Sequence, residues 1–202
     1  MVKQERALRT RQALIRAGAE LFAREGFVAA SLSTISGEAG VSNGALHFHF
    51  ENKRALARAV EDEALARLRR ITAESLERDG RALPALVDAT YELVDRIAED
   101  VVVRAGFGLG DDPGRGEAAS LRREWRYWVE DSVRRAERDG WLARGVPAAD
   151  AVTAVVAATV GFEVLGGEDE AWLSQDRVTG FWRLLLPRLT DRHALVIAVS
   201  GR

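Results

Sequence analysis

Residues 31–53, SLSTISGEAGVSNGALHFHFENK, constrain the fold more than any other part of the chain. Leu32, Ile35 and Ala39 share one helical face, and Val41, Leu46 and Phe50 form a second apolar set. Gly40 stands between the two sets and takes a positive φ at little cost, as a sharp interhelical turn requires. Ser42 is placed to N-cap the second helix, and Ser36 and Gly37 are small enough to let it approach the first. Neither helix is long enough to be stable alone, so longer helices must carry the pair. The pattern predicts a helix-turn-helix, an arrangement that presents one helix to DNA.

The flanking periodicity supplies those longer helices. Residues 4–25 read as an amphipathic helix with Leu14, Ile15, Gly18, Leu21 and Phe22 inside and Arg9, Gln12 and Arg16 opposite. Gly26 is placed as its C-cap. Asn52 caps a long helix running to about Arg78, with no proline- or serine-rich linker before it. A DNA-binding domain of residues 1–52 is therefore expected to pass through helix 53–78 into a second domain, 53–202 in all.

Beyond Gly80, Leu83, Leu86, Val87, Thr90, Val94 and Ile97 mark a helix ending near Asp100, followed by a short segment, Val101–Leu109. GDDPGRGEAAS reads as a loop. A helix over about Ala119–Asp139 places Leu121, Trp125, Trp128, Val129, Ser132 and Ala136 inside. Pro147 opens AADAVTAVVAATVGFEVL, apolar almost all round and so in need of cover on more than one side. The last helix, about Ala171–Leu189, has Val178, Phe181, Trp182, Leu185 and Leu189 as its stripe. Helices 147–165 and 171–189 carry more apolar surface than one subunit can cover, which predicts a homodimer. The fold class expected is all-α, and the tail 191–202 is assigned no role.

Composition narrows the function. The net charge of −2 hides an uneven distribution: nine bases against five acids in residues 1–60 make that part +4 and leave −6 for the rest. A basic head on an acidic body suits a small DNA-binding domain attached to a separate regulatory one. With no cysteine, neither a disulfide nor a thiolate metal site is available. No apolar run of ~18 residues and no signal-peptide pattern is evident, so a cytoplasmic protein, on the nucleoid when bound to DNA and independent of membranes, is expected. No nucleophile elbow, phosphate loop or paired carboxylates in an apolar setting are found, so no catalytic residue and no cofactor is assigned. A purely architectural DNA binder would not need the further residues of the second domain.

The helix containing TRQALIRAGAELFAREGF, followed by AGVSNGALHFHFENK, resembles the N-terminal domain of the TetR family of repressors, over roughly residues 8–58. The resemblance implies an all-α homodimer with an N-terminal DNA-binding domain and a C-terminal ligand-binding and dimerising domain. VVVRAG at 101–106, REW at 123–125 and VGFEVLGG at 160–167 resemble one branch, the γ-butyrolactone receptors of actinomycetes. That likeness implies release from an operator by a small lactone-like effector. Two positions depart from the family: Asn43 stands where Lys, Thr or Pro is common, and His47 where Tyr is usual. Bulky Phe162 leaves open a pseudo-receptor answering to another metabolite, such as an antibiotic.

Candidate DNA contacts follow from residue chemistry. Lys53 opens a helix where peptide N–H groups already favour phosphate, and Thr10 and Arg11 are placed for the flanking backbone. Asn43 can pair bidentately with adenine, Gly44 allows close approach, and His47 lies one turn on from Asn43. Ser33, Ser42 and His49 complete the set. His47 and His49 cannot share a metal ion, because residues two apart on a helix point nearly oppositely, and no metal site is assigned. For the effector, Trp125 offers a flat apolar face and an indole N–H. Leu86, Thr90, Phe107, Trp128, Val156, Thr159 and Phe162 are grouped with it as an apolar pocket with few polar groups.

Overall fold

The computed structural model describes residues 2–110 and 121–191, and every regular element among them is helical, as the periodicity predicts. In chain order the elements are α1 (Val2–Ala29), α2 (Leu32–Glu38), α3 (Asn43–His49), α4 (Lys53–Asp79), α5 (Ala82–Glu99) and α6 (Val101–Leu109). Then come α7 (Leu121–Arg138), α8 (Ala148–Gly166), a 3-10 turn (Glu170–Leu173) and α9 (Gln175–Leu189). They form two compact units. One takes the described residues of Met1–Arg67 and Asp100–Leu121, the other those of Leu68–Glu99 and Arg122–Arg202. α4 contributes to both. The loop 111–120, the expected helix start at Ala119 and the tail beyond 191 lie outside the described residues.

In the first unit α1 buries Leu14, Ile15, Ala17, Ala19, Leu21 and Phe22. Gly26 breaks the helix with φ 79°, and the chain makes a further short turn to Ala29 rather than stopping at the glycine. α6, a short segment by its sequence, packs against α1. Asp100 both caps α6, accepting from the Val102 N–H at 3.0 Å, and pairs with Arg67. Arg67 also reaches Glu63 at 3.1 Å. Gly106 is where α6 comes closest to α4: a Cβ there would lie 2.5 Å from that of Ala64 and 3.2 Å from a Leu121 methyl. Backbone-borne atoms cannot swing aside. Gly106→Ala is therefore expected to lower stability by ~1–3 kcal/mol in denaturant unfolding; an unchanged midpoint would show that the two helices part freely.

In the second unit α5 is buried almost all round, from Ala82 through Ile97. It packs against α8, α9 and the 3-10 turn, so these elements assemble around it rather than along a single stripe. The Tyr91 and Thr179 hydroxyls share a buried hydrogen bond of 2.9 Å between α5 and α9. α9 starts later than its sequence suggests. Asp169 caps the 3-10 turn through the Ala171 N–H at 3.0 Å, and Ser174 is extended, with ψ 146°. Asp169 thus opens the 3-10 turn, and the Ser174 hydroxyl, donating to the Ala171 carbonyl at 2.8 Å, closes it before α9 begins. The inner stripe of α9 is Val178, Thr179, Trp182, Leu186 and Leu189, with Phe181 and Leu185 only half-buried.

α8 overturns one expectation. With 19 residues and an 18-residue window of mean hydropathy 1.6, of which only 22% is buried, it is long and apolar enough to cross a membrane by length and composition. Asp150 and Glu163 interrupt the run as read residue by residue but do not bring its mean down. Its inner face is Ala151, Val155, Thr159, Phe162 and Gly166, at helical spacing. Glu163 receives two hydrogen bonds from Arg122 of α7, at 2.6 and 2.8 Å, and both side chains are largely buried. An ion pair of that kind ties α8 to α7 within the unit.

Candidate DNA-binding and effector sites

The helix-turn-helix is assembled by local hydrogen bonds. Ser31 caps α2 through the Thr34 N–H at 3.1 Å, and Ser42 caps α3 through the Ala45 N–H at 3.2 Å. Between them Gly40 has φ 67°, its N–H bonds to the Gly37 carbonyl, and the Val41 N–H bonds to the Ser36 carbonyl, both at 3.0 Å. These paired bonds around a left-handed residue close α2 and turn the chain sharply into α3. Ile35, Leu46 and Phe50 are buried beneath. Arg24 of α1 bonds Glu38 of α2 at 2.7 Å, and that hydrogen bond raises its guanidinium above the ordinary value.

The opposite face of α3 is open: Asn43, Gly44, His47 and Phe48 are exposed, as are Ser33 and Ser42. Asn43 is not wholly available. The Ser36 hydroxyl lies 2.5 Å from its amide oxygen and 2.9 Å from the Ser33 carbonyl. A hydroxyl has one proton, so Ser36 serves one carbonyl and holds the Asn43 amide through a single end. The amide oxygen keeps a second lone pair and the amide nitrogen both protons, so a bidentate adenine contact can form with that bond in place. His49 is half-buried, 5.2 Å edge-on from Phe48 and 6.5 Å from Phe50. Arg11 stacks 4.9 Å over Phe50, and Thr10 is half-buried beside it in sequence.

Lys53 has a role its sequence does not reveal. Its ammonium donates to the carbonyls of Val28 at 3.0 Å and Ala30 at 2.7 Å and sits 4.7 Å over the Phe27 ring. It thus ties the end of α1 to the start of α4, at carbonyls that carry partial negative charge. Two of its three protons are taken, which leaves one for a phosphate.

Seven of the eight candidate effector residues lie in the second unit; Phe107, on α6, belongs to the first. Trp125 is 1% exposed and stacks on Trp128 with centroids 5.2 Å apart. Its indole donates to the Thr159 hydroxyl at 2.8 Å, which donates back to the Val155 carbonyl at 2.9 Å or that of Val156 at 3.1 Å. Thr90, buried, bonds its own helix at the Leu86 carbonyl, 2.7 Å. Phe162 lies edge-on to Phe181 at 6.1 Å, Leu86 is buried and Val156 half-buried. No group of three His, Asp or Glu able to hold a metal occurs among the described residues.

The model of the bacterial regulatory proteins of the tetR family matches residues 14–60, which span the end of α1, the whole helix-turn-helix and the start of α4. The A-factor receptor protein of Streptomyces griseus is 28% identical over 202 residues, covering 98% of this chain and 69% of that protein. A gamma-butyrolactone receptor, an ArpA-like protein of known crystal structure, superposes with a TM-score of 0.84 at 26% identity over 97% of each chain. Residues 14–60 carry the tetR-family N-terminal domain, and the chain is similar along its length to γ-butyrolactone receptors. CprB of Streptomyces coelicolor, solved with its biological operator sequence, gives a TM-score of 0.81 at 28% identity over 97% of each chain. The molecule thus has an N-terminal tetR-type helix-turn-helix domain followed by a C-terminal helical domain.

Two side chains stand out to which the sequence assigned no binding role. Phe48, 81% exposed on α3, lies one turn beyond Gly44, and the helical wheel alone would have placed it on the open face. Trp182 is fully buried with its indole N–H unpartnered among the described residues.

Proposed function

We propose that the chain is a homodimeric repressor whose two α3 helices read a pseudo-palindromic operator, and which leaves DNA when a small, mostly apolar, oxygen-bearing molecule binds its second unit. The observation that carries the reading is the open face of α3, held in position by the Ser31, Gly40 and Ser42 bonds. Two-fold symmetry would present the two recognition helices about 34–36 Å apart or a multiple of it, one turn of DNA. The cytoplasm, where its DNA lies, is the expected site of action. The relatives are regulators rather than enzymes, which favours binding without turnover.

The dimer reading rests on α8 and α9. Val164, Leu165 and Leu184 are exposed, and an apolar groove of about 520 Å³ runs between Gly161, Phe162, Leu165, Trp172, Phe181 and Leu184. A second copy of the same surface covers it most economically. The effector reading rests on the second unit's interior, where Trp125 and Trp182 and the hydroxyls of Thr90 and Thr159 are set among apolar side chains. A lactone carbonyl is an acceptor that competes with Thr159 for the Trp125 N–H. A gamma-butyrolactone receptor is among the structural relatives. The boundaries 1–52 and 53–202 are retained as the division between DNA-binding and effector functions. Release requires that effector favour a state of lower operator affinity.

Duplexes selected from a random pool by the full chain test this directly. Binding should weaken with salt, and Lys53→Ala should weaken every duplex alike and flatten the log–log salt slope by ~1 per lost phosphate contact. If affinity falls with the slope unchanged, Lys53 acts only by fastening α1 to α4. No duplex binding in a gel shift would overturn the repressor reading.

A further inference from the structure

Of the two large apolar side chains on α3, Leu46 is fully buried and Phe48 is 81% exposed. The fold gives the Phe48 ring little to pack on beyond the edge of His49, 5.2 Å away. One turn earlier on the same face is Gly44, where a Cβ would meet nothing but the Ser42 hydroxyl at 3.9 Å. Bare backbone at Gly44 and an aromatic wall at Phe48 therefore make an apolar notch, with polar Asn43 and His47 on the same exposed face. The edges of base pairs in the major groove carry donors and acceptors that a phenyl ring cannot satisfy, and pressing it against them costs free energy. They also carry one apolar group, the thymine C5-methyl.

We propose that Phe48 is a specificity-determining residue that receives a thymine methyl of the operator against its ring, with Gly44 giving that methyl room to enter. This rests on the DNA-binding reading above and adds to it a base and a position. Asn43, tethered by Ser36, and His47 then supply polar contacts, while the apolar preference at one step of each half-site comes from Phe48.

The experiment uses the full-length protein and a duplex selected from a random pool, in which each thymine is replaced in turn by uracil, removing only the methyl. At one symmetric position uracil should weaken wild-type binding about fourfold per half-site, the worth of one buried methyl, and about fifteenfold when both half-sites carry it. Phe48→Ala, at an exposed position that leaves folding intact by circular dichroism, should bind the thymine and uracil duplexes alike. Its salt slope should match wild type, since no phosphate contact is lost. Phe48→Leu should retain part of the discrimination. Wild-type indifference to uracil at every thymine overturns the proposal, and so does a Phe48→Ala variant that still distinguishes the two bases. A flattened slope in Phe48→Ala also overturns it and moves the ring onto the phosphate backbone. Failure of wild type to bind any duplex removes the DNA-binding reading itself, and so is distinguishable from failure at Phe48 alone.

Discussion

Leu184→Glu is expected to yield a monomer by light scattering and to lower operator affinity at least a hundredfold. Leu184 is 80% exposed on α9, beside the groove formed with Phe162, Trp172 and Phe181. In a two-fold interface each copy's Leu184 would meet the facing helices, where a carboxylate loses its water among apolar side chains and the groove's one arginine, Arg177, is held over the Trp172 ring. Two half-sites held by one dimer gain ~10²–10⁴ in avidity over a single half-site, and the monomer forfeits that gain. Because Leu184 is solvent-exposed in the subunit, the helical content and melting of the variant should stay close to wild type. A Leu184→Glu protein that remains dimeric places the interface elsewhere. A wild-type chain that is monomeric at micromolar concentration removes the dimer altogether.

The same helices show what the sequence made legible. That α8 was apolar nearly all round could be read directly, and it implied cover on two sides. Which residues face which side could not. Val155 is fully buried in the subunit while Val160 is half-buried, so a charge at Val155 tests folding and a charge at Val160 tests the interface. The helix-turn-helix was legible in large part because Gly40, Ser42 and Asn52 act on atoms only a few positions away. Lys53 was not, since its partners at Val28 and Ala30 lie 25 and 23 residues back. The Ser36–Asn43 tether, seven residues apart across the turn, was equally hidden, yet it fixes how the Asn43 amide is oriented toward a base. In the second unit, Trp125 and Thr159 were each identifiable as polar handles on apolar faces. Their mutual bond depends on how α7 meets α8 and emerges from packing alone.

That bond shapes the second large effect, loss of effector response at Trp125. Truncation to alanine removes a fully buried indole, with ~3–5 kcal/mol of stability at stake, so Trp125→Ala is informative when its operator binding stays within a few-fold of wild type. Trp125→Phe avoids much of that cost: it retains an aromatic surface against Trp128 and removes the N–H that engages Thr159. Thr159 still donates to its own helix through Val155 or Val156, so the fold survives the change. If effector binds beside this pair, its oxygen competes for the Trp125 N–H or the Thr159 hydroxyl, and either substitution should raise the synthetic γ-butyrolactone concentration needed for half-release. An order of magnitude corresponds to about 1.4 kcal/mol, the upper range of one neutral hydrogen bond. Tryptophan emission in wild type should respond to the same titration over a background from Trp128, Trp141, Trp172 and Trp182. Release of Trp125→Phe and Trp125→Ala at the wild-type lactone concentration makes Trp125 a core residue only, and directs the search to the unpartnered indole of Trp182.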